Sequence, residues 1–192
     1  MYRWQKLYDK AIREIAKEKV VRDIGGATPF QKNLAPYKPL FANCDYKTVD
    51  VDPKFKPDIV ADIHKLPMED ESVDAIICNS VLEHVSNPFT AMSEIERVLR
   101  KGGKIFMSIP YIYPYHAGHG YRDYWRFSRD GVVLLFEGFS KVEIEPVRGY
   151  FGSLAHFLPP ITHKIVDPVF SWVDNKLSRK NTASGFNIYA VK

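Results

Sequence analysis

The chain has 192 residues, of which 45% are hydrophobic and 26% are charged, a balance typical of a folded globular protein rather than a disordered one. Its net charge of +4 at pH 7 is too mild to favour nucleic acid as the main partner, and two cysteines are too few for a disulfide framework. No apolar run approaches the about 20 residues that span a bilayer, and residues 1–19 lack a signal-peptide core, so the sequence predicts a cytoplasmic protein.

Helix and strand patterns alternate along most of the chain. Residues 2–17 have the apolar spacing of an amphipathic helix. Seven β-prone runs follow, at residues 20–24, 46–51, 57–61, 73–79, 104–109, 139–147 and 186–191. The alternation predicts an α/β fold with a doubly wound, mostly parallel seven-stranded sheet.

The connections between these strands are predicted to be helical in part. A capped helix is expected over residues 87–101, with Phe89 in its buried stripe, and another begins at Ser128. A shorter helix is expected over residues 28–34, which prolines then interrupt. The second and third strands are separated by only about six residues, so either the crossover helix is reduced to a turn or the strand ends lie elsewhere.

The sequence predicts one domain over residues 1–192, with an N-terminal helix at 1–18 and an apolar cap at 148–180 before the last strand. The cap is rich in apolar and aromatic residues but is interrupted by prolines. It is interpreted as a packed cover on the sheet. Alternatively, it holds a lipid-like acceptor or makes a peripheral contact with a membrane surface.

Acidic and small residues stand where several predicted strands end. Asp23 and the pair Gly25-Gly26 follow the first strand, Asp50 ends the second, Asp62 follows the third, and Asn79-Ser80 ends the fourth. Ligands of open α/β sheets bind outside the carboxyl ends of the strands. The sequence therefore predicts that these residues surround one ligand.

As an ordered set, these motifs resemble those of the class I S-adenosylmethionine-dependent methyltransferases, in particular the branch of small-molecule and ubiquinone-pathway enzymes. The resemblance covers about residues 19–145 and implies a Rossmann-like methyltransferase fold. Its motifs are Asp23-Ile24-Gly25-Gly26-Ala27, Asp50, Asp62-Ile63-His64-Lys65-Leu66-Pro67, Asn79-Ser80-Val81-Leu82-Glu83-His84 and Val98-Leu99-Arg100-Lys101-Gly102-Gly103. Residues 111–128 are further similar to a subgroup associated with surface-polysaccharide and glycan biosynthesis.

The resemblance implies S-adenosylmethionine as the cofactor and S-adenosylhomocysteine as a product. Asp23 would face the ammonium group of the cofactor, Asp50 its ribose hydroxyls and Asp62 its adenine amino group. The cofactor-binding residues implied in this way are Asp23, Gly25, Gly26, Ala27, Asp50, Val51, Asp62, Ile63, His64, Asn79, Ser80 and Val81.

An aromatic and histidine-rich loop at residues 111–127 follows the fifth strand, on the side where this fold receives the methyl acceptor. Imidazole titrates near neutral pH, so a histidine there is a candidate general base. The candidate catalytic residues are His116 and His119 as bases, Asp123 to orient a histidine, and Tyr124 to hydrogen-bond the acceptor. The alternative is an aromatic lid that only shapes the pocket.

Two further interpretations concern the acceptor side. Glu83 and His84 form a possible catalytic pair, although local pairing and packing are preferred for them. A metal site made of His116, His119 and Asp123 is considered, but the ligand spacing is not diagnostic and no metal is predicted.

The predicted function is S-adenosylmethionine-dependent transfer of a methyl group, by in-line displacement, to a small-molecule, glycan or lipid-linked acceptor. Two alternatives stay open. One is a non-catalytic binding or scaffold protein on the same fold, because Ala27 and Pro29 replace glycines of the family pattern. The other is an RNA methyltransferase, motivated by the basic charge and the aromatic residues. The sequence does not indicate an oligomeric state.

Overall fold

A computed structural model describes residues 2–118, 120–177 and 182–192. The strands are β1 (Val20–Ile24), β2 (Asp45–Asp50), β3 (Ile59–Val60), β4 (Val73–Asn79), β5 (Leu99–Pro110), β6 (Lys141–Val147) and β7 (Gly185–Val191). They form one seven-stranded sheet in the order β3-β2-β1-β4-β5-β7-β6. Strand β7 runs antiparallel to both of its neighbours, and the other pairs are parallel. The predicted α/β fold with a mostly parallel seven-stranded sheet is confirmed.

The helices that flank the sheet are α1 (Arg3–Ile15), α2 (Pro88–Val98), α3 (Arg129–Leu135), α4 (Tyr150–Ala155) and α5 (His163–Leu177). Short 3₁₀ segments lie at Lys32–Phe41, Pro53–Phe55, Leu82–His84 and Pro160–Thr162. Within the ranges that the structure describes, none of the helices has both the length and the apolar character needed to cross a bilayer.

The apolar core lies on both faces of the sheet. Successive strand residues point to opposite faces, and β5 shows this clearly. Its residues Ile105 and Met107 pack in a cluster with α2 and α3, whereas Phe106 packs in a second cluster with α1 and the Lys32–Phe41 segment. Helix α1 contributes Leu7, Ala11, Ile12 and Ile15 to that second cluster. The amphipathic helix predicted at the start of the chain is confirmed.

The helix predicted over residues 28–34 is wrong in type and position. Ala27 and Phe30 have positive φ angles of 38° and 54°, and a right-handed helix cannot pass through them. The chain turns helical only at the Lys32–Phe41 segment, which is a 3₁₀ helix containing Pro36 and Pro39. Proline offers no N–H donor, so the regular α-helical hydrogen bonds cannot form there.

The link between β2 and β3 contains the 3₁₀ turn Pro53–Phe55 and no α-helix. Strand β3 is reduced to Ile59–Val60. Both explanations of the short spacing therefore hold: the crossover helix is replaced by a turn, and the third strand is shorter than residues 57–61.

Two helix starts agree with the sequence. The Asn87 side chain accepts a hydrogen bond from the Thr90 amide at 3.1 Å at the start of α2, and the Ser128 side chain accepts one from the Gly131 amide at 3.3 Å at the start of α3. The prediction that Phe89 is buried is wrong, because that side chain is 54% exposed.

The end of α2 also differs from the prediction. The helix stops at Val98 because Leu99 already pairs with Val73 in the sheet. Gly102 therefore lies within β5 and does not terminate the helix.

Helices α4 and α5 occupy most of the predicted apolar cap, whose residues 178–180 lie outside the described part of the chain. The buried Asp174 carboxylate on α5 accepts hydrogen bonds from the backbone amides of Gly149, Phe151 and Gly152. This side chain connects α5 to the start of α4. The division of the chain into one domain with a cap remains a prediction.

Candidate active site

A cavity of about 750 Å³ opens at the carboxyl ends of β1, β4 and β5, the edge where ligands of open α/β sheets bind. Its sheet wall includes Asp23, Gly25, Gly26, Asn79, Ser80 and Ser108. Its opposite wall comes from α1 and the segment before β2, including Trp4, Gln5, Tyr8, Gln31 and Tyr37. The structure thus brings five of the twelve sequence-predicted cofactor residues to one cavity. The other seven do not line it: Ala27, Asp50, Val51, Asp62, Ile63, His64 and Val81. The helix predicted at the start of the chain therefore covers part of this cavity as well as packing on the sheet.

Asp23 presents a buried carboxylate to this cavity. The residue is 4% exposed, and the Tyr46 hydroxyl donates a hydrogen bond of 2.5 Å to its Oδ2. Burial raises the pKa of Asp23 to about 6, the Tyr46 hydrogen bond opposes that rise, and the charge of Asp50 adds to it. A cationic ligand group beside Asp23 would favour its ionised form.

The turn after β1 requires its two glycines for different reasons. Gly25 has a φ of +70°, and a Cβ atom there would lie 2.3 Å from Cγ2 of Val81. A Cβ atom on Gly26 would lie 2.7 Å from Cγ of Asp23. The backbone therefore closes tightly against Val81, just after β4, and leaves no room for side chains where the turn lines the cavity.

Asp50 supports the same turn from the end of β2. Its Oδ2 accepts a hydrogen bond from the Ala27 amide at 3.2 Å, and its Oδ1 accepts one from the Asp52 amide at 3.0 Å. A carboxylate offers about four acceptor positions, so both oxygens can still accept from hydroxyl groups. The neighbouring Val51 side chain is 62% exposed.

The segment after β3 is organised locally. The Asp62 Oδ1 atom accepts a hydrogen bond from the His64 amide at 2.9 Å and lies 2.6 Å from Nδ1 of that ring. The His64 amide, followed by the His64 ring, lowers the pKa of Asp62. The Ile63 side chain is buried in the core, so only its backbone can meet a ligand. These three residues do not line the cavity described above.

The loop at residues 111–127 packs on the turn that follows β4. The Glu83 carbonyl accepts hydrogen bonds from the amides of Tyr124 at 2.7 Å and Trp125 at 3.2 Å. The indole of Trp125 donates to the Val85 carbonyl at 2.8 Å. The backbone of Tyr124 therefore anchors the loop, while its side chain is 47% exposed.

Arg126 holds this loop together, and the sequence motifs did not single it out as a functional residue. Its guanidinium contacts both carboxylate oxygens of Asp123, at 2.5 and 2.7 Å, and donates to the carbonyls of Tyr113 at 3.0 Å and Pro114 at 2.7 Å. The Arg126 hydrogen bonds hold the pKa of Asp123 well below its usual range. The only sequence signal was an arginine three residues after an aspartate in an aromatic run.

The structure brings His116 and Asp123 together, as the sequence predicts. The His116 amide donates to Asp123 Oδ2 at 2.8 Å, and His116 Nδ1 lies 3.3 Å from the same oxygen. The His116 ring packs edge-on against His84 at a centroid distance of 4.8 Å. Their catalytic roles remain predictions, and His119 lies outside the described residues.

Glu83 lies at the centre of this region, although the sequence reading preferred a local structural role for it. Its side chain is 1% exposed, and neither carboxylate oxygen has a hydrogen-bond partner among the described residues. Burial raises the pKa of Glu83 to about 7. Burial also lowers the pKa of His84, its neighbour. The sequence signal was the adjacency of a carboxylate and an imidazole after a buried strand.

Comparison with known sequences places a family named methyltransferase domain over residues 30–107. An uncharacterized protein of Methanocaldococcus jannaschii is 31% identical over 138 residues, which cover 70% of this chain and 60% of that protein. An uncharacterized 37.1 kDa protein from a transposon of Streptomyces fradiae is 47% identical over 51 residues, or 27% of this chain and 15% of that protein. The chain thus spans less than two thirds of the length of either relative.

Comparison with solved structures identifies the fold. A S-adenosylmethionine-dependent methyltransferase from Archaeoglobus fulgidus superposes with a TM-score of 0.62 at 15% identity, over 97% of this chain and 90% of that one. Phosphoethanolamine N-methyltransferase 2 of Haemonchus contortus, in complex with S-adenosylmethionine, gives 0.57 at 13% identity, over 98% and 52%. The chain therefore has the Rossmann-like fold of S-adenosylmethionine-dependent methyltransferases. Its residues 30–107 also match the methyltransferase domain family.

Proposed function

We propose that this protein transfers the methyl group of S-adenosylmethionine to an acceptor bound beside the loop at residues 111–127. The observation that carries the proposal is the buried Asp23 carboxylate, which faces a cavity of about 750 Å³ together with Gly25, Gly26, Asn79 and Ser80. The cofactor carries an ammonium group and hydroxyl groups. The buried Asp23 carboxylate and the Asp50 carboxylate at the end of β2 are suitable partners for them.

The residues of the chain have distinct tasks in this proposal. Asp23 binds the ammonium group, and the turn at Gly25 and Gly26 lets the backbone approach the ligand closely. Asp50 accepts hydrogen bonds from the ribose hydroxyls, and the loop after β3, with the Ile63 amide, meets the adenine. When bound, the cofactor supplies a methyl group already activated by a positively charged sulfur. The protein then contributes alignment of the acceptor and exclusion of water.

The proposed acceptor is a small molecule, a glycan or a lipid-linked compound. Support comes from the aromatic side chains of the loop at residues 111–127, which offer flat faces for a sugar or another ring. A lipid-linked acceptor is supported by apolar side chains exposed on the segment from α4 to α5, namely Phe157, Ile161, Ile165, Val169 and Trp172. A mass-spectrometric product screen across these acceptor classes would identify the compound whose mass increases by one CH₂ group, because methylation replaces a hydrogen with a methyl group.

Titration calorimetry with S-adenosylmethionine tests the cofactor half of the proposal. We expect saturable binding to the full chain. We expect Asp50→Ala to weaken it about 10- to 100-fold, because charge-assisted hydrogen bonds to the ribose are each worth about 1.5–3 kcal/mol. Asp52→Ala is the matched control. Its carboxylate caps the Pro53–Phe55 turn by accepting from the Lys54 amide at 2.9 Å, and we expect its affinity to stay near that of the parent chain.

Absence of binding at millimolar cofactor would overturn the enzyme proposal and favour the non-catalytic scaffold. Equal losses in Asp50→Ala and Asp52→Ala would argue that the turn, rather than a ribose contact, determines affinity.

The affinity for the cofactor should also depend on pH through Asp23. Its carboxylate is ionised above its pKa of about 6 and neutral below it, so binding of the ammonium group weakens on acidification. A single group with this pKa predicts about tenfold weaker binding at pH 5 than at pH 7.5. Calorimetry at these two pH values measures the difference.

Asp23→Asn provides the control for the pH dependence. We expect weak binding in this variant and a flat profile between pH 5 and 7.5. In the absence of ligand, Asp23 affects folding stability with the opposite pH dependence. Because the pKa of Asp23 is higher in the folded chain than in the unfolded chain, protonation of this group below pH 6 stabilises the folded state. An unchanged pH profile in the variant would show that another group is responsible.

A further inference from the structure

Donor atoms from three side chains converge near the carboxyl ends of β4 and β5. Glu83 Oε1 lies 3.6 Å from His116 Nε2 and 3.9 Å from His84 Nε2. One ligand atom from each of these residues lies within 4.8 Å of the other two. Glu83 and His84 belong to the turn after β4, and His116 belongs to the loop after β5, so only the tertiary fold assembles the three.

Both imidazole rings turn their Nδ1 atoms towards hydrogen-bond acceptors. His84 Nδ1 lies 2.6 Å from the Arg122 carbonyl oxygen, and His116 Nδ1 lies 3.2 Å from the Pro114 carbonyl and 3.3 Å from the Asp123 carboxylate. Carbonyls and carboxylates only accept, so each Nδ1 carries a proton, and in the neutral ring each Nε2 retains its lone pair. Metal-binding histidines have this arrangement, in which the second ring nitrogen donates to a carbonyl or carboxylate.

One other group lies near the His116 Nδ1 atom. Arg126 Nη2 is 3.4 Å away, but it donates to Asp123 and Pro114 at the shorter distance of 2.7 Å in both cases. The shorter contacts take the N–H groups of that nitrogen. The protonated state of His116 Nδ1 is therefore consistent with the whole surrounding network.

The Glu83 carboxylate is the second, independent sign of a ligand. It is 1% exposed, and in the described part of the chain neither of its oxygens accepts a hydrogen bond from another residue. The histidine nitrogens that face it carry lone pairs. A buried carboxylate without donors is strongly unfavourable, and buried charges are generally paired or bind metals.

We propose that Glu83, His84 and His116 form a binding site for one divalent transition-metal ion. Two imidazoles and one carboxylate suit Zn²⁺ or Fe²⁺, whereas Mg²⁺ and Ca²⁺ prefer oxygen ligands. Metal–nitrogen bonds of about 2.0–2.1 Å place neighbouring donors about 3.0–3.5 Å apart. Small side-chain rotations, chiefly of the loop residue His116, bring the donors to this spacing. Three protein ligands leave coordination positions open for water or an acceptor oxygen.

This site differs from the trio that the sequence offers, which is His116, His119 and Asp123. In the structure, Asp123 already pairs with Arg126, and Glu83 and His84 converge on His116 instead. As a ligand, His116 commits its Nε2 lone pair to the ion and does not serve as a free base. The role of the ion in holding an acceptor oxygen rests on the proposed function, whereas metal binding itself does not.

Metal titration of the full chain tests the site. After removal of metals with a chelator and dialysis, we expect one equivalent of Zn²⁺ to bind with a Kd of about 1 μM or lower. Co²⁺ should give a visible absorption spectrum that saturates at the same stoichiometry. We expect Glu83→Gln and His116→Ala each to weaken Zn²⁺ binding about 100-fold and to abolish the Co²⁺ spectrum.

Two matched variants control for adventitious binding. Glu137→Gln removes an exposed carboxylate, and His64→Gln removes an imidazole that already contacts Asp62. Both should bind Zn²⁺ as the parent chain does. Circular dichroism verifies that every variant is folded, and His116→Ala changes a partly exposed loop residue in case Glu83→Gln does not fold.

Absence of saturable Zn²⁺ and Co²⁺ binding would overturn the proposal. So would binding that Glu83→Gln and His116→Ala leave unchanged, or that the two control variants weaken equally. Calorimetry with S-adenosylmethionine on the same samples keeps the two proposals separate. Metal binding without cofactor binding would overturn the proposed function alone, and the reverse result would overturn the metal site alone.

Discussion

Replacing Gly25 by alanine is expected to weaken the binding of S-adenosylmethionine about 100-fold, or about 3 kcal/mol. Two effects combine at this position. A side chain at a φ of +70° costs about 1–2 kcal/mol, and the added Cβ atom would lie 2.3 Å from Cγ2 of Val81. The turn must move away from Val81, and the part of the cavity wall that Gly25 and Gly26 form is then displaced. Titration calorimetry measures the loss.

Gly102→Ala is the matched control, which separates the backbone strain of a positive φ angle from steric crowding of the added Cβ atom. Gly102 has a nearly identical φ of +72°, but the nearest atom to its Cβ position is Nη1 of Arg100 at 3.8 Å. We expect this variant to lose some thermal stability and to retain cofactor affinity. If Gly25→Ala binds the cofactor as tightly as Gly102→Ala does, the turn does not form the proposed cofactor cradle.

Replacing Arg126 by alanine is expected to open the loop at residues 111–127. The guanidinium is the partner of Asp123, whose side chain is 1% exposed, and leaving a buried polar group without its partner typically costs about 1–3 kcal/mol. The substitution also removes the donors to the carbonyls of Tyr113 and Pro114. In the parent chain, the amides of Tyr124 and Trp125 donate to the Glu83 carbonyl. We expect hydrogen exchange at these two amides to be about 100-fold faster in the variant.

Arg126→Lys should restore only part of the protection of these amides, because an ammonium group cannot reproduce the planar guanidinium contacts to both carboxylate oxygens. Arg122→Lys is the matched control on the same loop, since that side chain is exposed and its backbone carbonyl remains available to His84. Unchanged exchange in Arg126→Ala would show that backbone contacts alone hold the loop.

The two predictions concern opposite sides of one sheet edge. Gly25 shapes the cavity that we assign to the cofactor, and Arg126 holds the loop that we assign to the acceptor. If both variants behave as expected, cofactor affinity should depend on Gly25 and be largely independent of Arg126. This separation would distinguish a two-part active site from a single continuous pocket.

Local patterns predicted the parts of the fold that depend on neighbouring residues. The continuous apolar run of β4, the cap at Asn87 and the cap at Ser128 all agree with the structure. These features arise from side chains acting on their own segment. The prediction of a helix over residues 28–34 was wrong because the positive φ angles of Ala27 and Phe30 come from the packing of the turn.

The cofactor side of the site was accessible from the sequence for a similar reason. In a parallel sheet, each strand delivers its carboxyl end to the same edge, so Asp23, Asp50 and Asn79 could be grouped from strand ends alone. The sequence could not indicate that Tyr46 hydrogen-bonds Asp23 or which residues of α1 line the cavity. Those contacts join segments whose relative positions no local pattern specifies.

By itself, the sequence determined the alternation of strands and helices and the acidic and glycine positions at the strand ends, because both follow from local periodicity. Only the tertiary structure decided which residues meet on the acceptor side. Glu83, His84 and His116 come together because two loops from adjacent strands pack on each other. Asp123 pairs with Arg126 and contacts His116 through its amide and its Nδ1 atom rather than through Nε2, which faces Glu83. Burial and pairing depend on the whole fold, and they distinguish the candidate ligands from the structural residues.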